Sequence, residues 1–139
     1  MRRSLPKYLA SREFVMSVIE DMRTVVATPG YVLDMAFYAY TINNKCHVCA
    51  GGSAVVMGMN GDRNWKSWSR EQLQVAGWCN CVRETAWGGC VELGHPVPEA
   101  AQDAWSPEML YSSSPGFFAA WERFANALPT LAEIEGVKP

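Results

Sequence analysis

"NNKCHVCAGGSAVVMG", residues 43–58, is the stretch on which the reading of this chain turns. Asn43 and Asn44 form a turn. Cys46 and Cys49 stand three positions apart with His47 between them, and a run of very small residues follows. Three chemistries compete for this pattern: a metal clip, a reactive thiol, or a closely packed helix. The spacing predicts a helix from near Cys46 to about Met59, ended by Asn60-Gly61-Asp62. On such a helix Cys46 is the cap, and Cys49, Gly52, Ser53 and Val56 lie near one face. Adjacent glycines inside a helix cost propensity, so Gly51 and Gly52 require a reason. The close approach of a neighbouring helix supplies one.

Upstream, Ser11 is placed to cap a helix through about Thr24. Val15, Val18, Ile19, Met22, Val25 and Val26 recur at the spacing of one buried face. Thr28-Pro29-Gly30 stops that helix. Residues 31–42, "YVLDMAFYAYTI", are aromatic and β-branched, which predicts a short extended segment. Downstream, Ser69-Arg70-Glu71-Gln72 is a capping box for a helix to about Trp87, with Val75, Cys79, Val82 and Ala86 as its buried stripe. "SPE" at 106–108 and "SPG" at 114–116 each place serine at a cap and proline at the first helical position. The second of these helices buries Phe117, Trp121, Phe124 and Leu128. "TLAE" at 130–133 opens a short terminal helix, closed by Gly136. The expected fold class is therefore mainly α, with α+β as the alternative. About five helices and one extended segment near residues 31–42 make a single globular domain over residues 1–139.

Composition narrows the function classes. The chain has 139 residues, 49% of them hydrophobic, enough to build a core. No apolar run approaches the ~18 residues of a membrane span. Arg2 and Arg3 resemble the start of a signal peptide, but Lys7, Arg12 and Glu13 interrupt the apolar stretch that should follow. A cytoplasmic location and no membrane partner are expected. The five cysteines are an odd number and argue against a disulfide framework. Charge is uneven: residues 1–90 carry +3 and residues 91–139 carry −5, against −2 overall. No global basic field invites nucleic acid.

As a zinc site, Cys46 and Cys49 would form one knuckle, completed by Cys90 and His95. Cys79 and Cys81 fit poorly, since on a helix they point about 200° apart. As a thiol enzyme, Cys46 at a helix N-terminus would have a lowered pKa. His47 would splay to another face, leaving His95 as the base. The packing reading explains more of these residues than either, so no cofactor is favoured, with zinc as the alternative.

"VLDM" at 32–35, a polar turn, and "CHVCAGGSAVVMG" at 46–58 resemble a segment of small uncharacterised bacteriophage and prophage proteins. The resemblance covers about 30 residues. It implies a phage accessory protein acting in the host cytoplasm, and it carries no functional residue across.

"RNWKSWSR", residues 63–70, interleaves Arg63, Lys66 and Arg70 with Trp65 and Trp68. Tryptophan with arginine anchors protein interfaces, and the same residues could stack a base and hold an anion. The plainer alternative is a loop whose tryptophans fold back over the core. The leading expectation is a non-enzymatic binder that inhibits or redirects a host protein, with defence proteins among the candidates. The alternatives are a protein that sequesters a small anionic nucleotide, and a structural-zinc or thiol-dependent protein using Cys46 and Cys49.

Overall fold

The computed structural model describes residues 9–59, 65–86 and 99–136; for Trp65 and residues 79–86 only the backbone is described. Among the described residues the fold is mainly helical with one small three-stranded sheet. It divides into two compact units, one centred on Ser17–Cys79, the other on Pro6–Met16 with Asn80–Pro139.

Helix α1, Arg12–Ala27, begins where Ser11 Oγ accepts the Phe14 N–H at 3.2 Å. It buries Val15, Val18, Ile19, Met22 and Val25. Val26, expected on the same stripe, is 62% exposed. One step of 100° from Val25 carries it off the buried face. Gly30, with φ +86°, turns the chain into the sheet.

The sheet contains β1 (Tyr31–Leu33), β2 (Tyr40–Ile42) and β3 (Lys45–Val48) in the order β1-β3-β2. β1 is parallel to β3 and β2 is antiparallel to it. The extended segment expected over 31–42 is thus two short strands separated by the loop 34–39. The helix expected from Cys46 is not there: Lys45–Val48 is a strand. The physical reason lies in Asn43 and Asn44, whose φ values of 50° and 64° are both left-handed. That is the geometry of a two-residue type I′ turn, whose twist matches paired strands and returns the chain as a hairpin. The return strand shows the period of two a sheet imposes, with Cys46 and Val48 buried and Lys45 exposed.

Helix α2, Ala50–Ser53, starts one turn later than expected and continues as a π-helical stretch, Ala54–Met59. Cys49, not Cys46, is its N-cap, with Sγ accepting the Gly52 N–H at 3.5 Å. The two glycines meet different neighbours. A Cβ on Gly51 would lie 2.6 Å from the Val75 carbonyl oxygen and 2.9 Å from that of Ala76. One on Gly52 would overlap the Tyr38 carbonyl outright. The small residues thus admit helix α3, Arg70–Ala86, on one side and the loop before β2 on the other. The Ser69–Gln72 box at the start of α3 is complete: Gln72 N–H donates to Ser69 Oγ at 3.2 Å, and Ser69 N–H to Gln72 Oε1 at 2.6 Å. Of the stripe expected on α3, Val75 is buried; Cys79, Val82 and Ala86 lie where side chains are not described.

In the second unit, α4 (Glu99–Ala104) is a helix that no cap in the sequence announces. "SPE" forms only a 3-10 turn, Pro107–Leu110. At "SPG" the turn is completed before the helix begins, so α5 spans Phe117–Ala127 with Gly116 as its N-cap. Phe117, Trp121, Phe124 and Leu128 are all buried, and Trp121 Nε1 donates to the Met109 carbonyl at 3.1 Å. α6, Leu131–Ile134, carries the full Thr130–Glu133 capping box. Arg12 fastens the corner between α5 and α6: its backbone N–H donates to the Pro129 carbonyl at 2.9 Å, and its side chain to those of Leu128 and Asn126.

Candidate binding groove

In the first unit, an open cleft of about 500 Å³ is lined by Ala36 to Tyr40 on one wall and by Trp68, Leu73, Ala76 and Gly77 on the other. Its lining is almost wholly apolar. Leu73 and Gly77 are four apart on α3, and Arg70 stands one turn before Leu73 on the same stripe. Around the cleft, Tyr38 is 44% exposed, Tyr40 57% and Leu73 47%. Large apolar side chains gathered at one opening are unusual on a protein surface.

The loop 34–39 forms this wall because it is tied at its base. Asp34 N–H donates to the Val48 carbonyl at 2.8 Å, and the Phe37 N–H to the Asp34 carbonyl at 3.2 Å. The Asp34 carboxylate accepts from the Ala36 N–H at 3.1 Å and contacts His47 Nδ1 at 3.0 Å. The Phe37 ring stacks on Tyr40 with centroids 5.3 Å apart and makes a T-shaped contact with the His47 ring, centroids 6.2 Å apart. Tyr40 and His47 are cross-strand partners, which places both on one face of the sheet. The pair Asp34–His47 therefore braces the aromatic wall from behind.

The residues singled out in the sequence fare unequally. Trp68 is 6% exposed and folds back to line the cleft, following the plainer of the two readings of that tryptophan. Lys66 and Arg70 are exposed. Arg63 lies outside the described residues, and for Trp65 only its place in a 3-10 turn is described. Cys46 and Cys49 are both buried, on a strand and at a helix cap. Cys90 and His95 lie outside the described residues. Among the described residues no cluster of three or more His, Cys, Asp or Glu side chains could hold a metal ion. Sequence reasoning missed Phe37, Tyr38, Tyr40 and Leu73, although "FYAY" at 37–40 was a visible aromatic cluster.

Comparison with protein-family models, curated proteins and solved structures gives no match. No described helix is long and apolar enough to cross a membrane.

Proposed function

We propose that the protein is a non-enzymatic binding protein that inhibits or redirects a host protein by docking it in the groove between residues 36–40 and α3. One observation carries this reading: Tyr38, Tyr40 and Leu73 are exposed together around an apolar cleft. Aromatic side chains at the mouth of a preformed pocket are the makeup of interface anchors. The setting, a phage accessory protein in the host cytoplasm, rests on the sequence resemblance over residues 32–58. Lys66 and Arg70 stay in the binding surface, whereas Trp68 serves as a wall of the groove.

The test is a comparison of partners captured from host lysate by the wild type and by a Leu73→Asp variant. A charge at an exposed position should leave the fold intact while spoiling the apolar contact. A partner lost with Leu73→Asp supports the groove, and a partner set unchanged by it overturns the assignment.

The aromatic wall and the cleft volume favour a second reading, a small nucleotide bound by its base. About 500 Å³ lies within the ~300–1,000 Å³ typical of small-molecule sites. Calorimetric titration with a panel of mono- and dinucleotides decides it, and absence of heat with every member removes it.

A further inference from the structure

The wall residues Tyr38 and Tyr40 run directly into β2, and among the described residues β2 is an edge strand. The hairpin register fixes what that edge presents. Ile42 and Lys45 flank the two-residue turn as a hydrogen-bonded pair, so the next pair, Thr41 and Cys46, is a non-bonded one. Cys46 confirms this, because its N–H points the other way and donates to the Gly30 carbonyl at 2.8 Å. By the same alternation, the Thr41 N–H and C=O face outward from the sheet. They have no partner among the described residues. An open strand edge beside an apolar cleft is what strand addition uses: the main chain pairs with the edge, and an alternate side chain enters the pocket.

Charge selects the occupant. Arg70 is exposed, forms no ion pair among the described residues, and continues the α3 stripe of Leu73 and Gly77 out of the groove. Lys66 is exposed in the turn just before Trp68. The lining itself offers few polar groups to read a base or cradle a phosphate, whereas a peptide brings backbone groups that the Thr41 edge can satisfy. Resting on the proposed binding role, we infer that the occupant is an extended, acidic segment of a partner protein. It pairs with the outer edge of β2, sets a large apolar side chain in the groove, and places carboxylates against Arg70 and Lys66.

The probe is a fluorescein-labelled peptide alternating glutamate with leucine and one central tryptophan, read by anisotropy. It should bind the wild type and weaken as salt is raised. Replacing its glutamates by lysine should cost about tenfold or more in Kd, as should Arg70→Glu. Methylating the peptide nitrogens that face Thr41 should also weaken binding about tenfold, because pairing at the edge is removed. Thr41→Pro does the same from the protein side without touching a bond between β2 and β3. The methylated peptide keeps the test independent of whether that variant folds. If the acidic peptide fails to bind, or binds no better than the lysine or methylated form, the inference is overturned. In that event a lysate partner still lost with Leu73→Asp leaves the groove reading standing, so the two failures are distinguishable.

Discussion

Cys46 lies on β3 with its thiol in the core, so Cys46→Ser buries a hydroxyl where a weakly polar sulfur had been. A loss of about 1–3 kcal/mol in urea melts is expected. Cys49→Ser should fall close to the wild type. Serine at an N-cap accepts the Gly52 N–H better than sulfur does, which offsets the cost of burial. This order reverses the one that follows from placing Cys46 at the cap, and equal losses from both changes would show that the thiols act together. Glu133 gives a residue-scale pH effect. Its carboxylate accepts from the Thr130 backbone N–H and hydroxyl, and with help from Arg12 these hold its pKa below the usual carboxylate range. A lowered folded pKa contributes stability at neutral pH that is lost as pH falls through that value. Glu133→Gln, which can still cap, should flatten the acid limb of the stability profile. A variant whose acid limb matches the wild type would contradict the linkage.

At the scale of elements, the hairpin and the glycine contacts carry the most specific consequences. Asn44 occupies a left-handed position, so Asn44→Val should cost about 1–2 kcal/mol. Asn44→Gly should cost nothing, since asparagine–glycine is the preferred type I′ pair. Chemical melts of the two variants check this, and similar losses would argue against the turn. Gly51 and Gly77 make a second contrast. A Cβ at Gly51 would press on the α3 carbonyls, and Gly51→Ala should destabilise by about 1–3 kcal/mol. At Gly77 nothing stands within 4 Å of the added atom, so Gly77→Ala should stabilise α3 by about 0.5–1 kcal/mol. The same substitution on two facing helices thus tests close packing with opposite signs.

For the whole molecule, thiol accessibility is the simplest global readout. A variant with Cys79, Cys81 and Cys90 changed to serine retains Cys46 and Cys49, both buried. Native titration with a thiol reagent should show no rapid reaction, and denaturant should release both. A fast-reacting thiol in the native variant would restore the thiol-chemistry reading. Charge is uneven at this scale: the acidic surplus of residues 91–139 is separate in sequence from the exposed Lys66 and Arg70.

What the sequence by itself determined were the features with local causes. Ser11, Ser69 and Thr130 marked helix starts because a side-chain oxygen satisfies an N–H two or three residues away. The stripe from Phe117 to Leu128 was equally legible, since a 3.6-residue period needs only its own segment. Tertiary structure decided the rest. The Asn43–Asn44 turn returns Lys45–Val48 against β2 locally, but its other edge is held by β1, which is twelve or more residues away in the chain. The groove was hidden for the same reason. Residues 36–40 and α3 are distant in sequence, and Gly51 and Gly52, lying between them along the chain, let both walls pack closely onto α2. A run of small residues signals that something approaches closely, but which segments do so is a property of the folded chain.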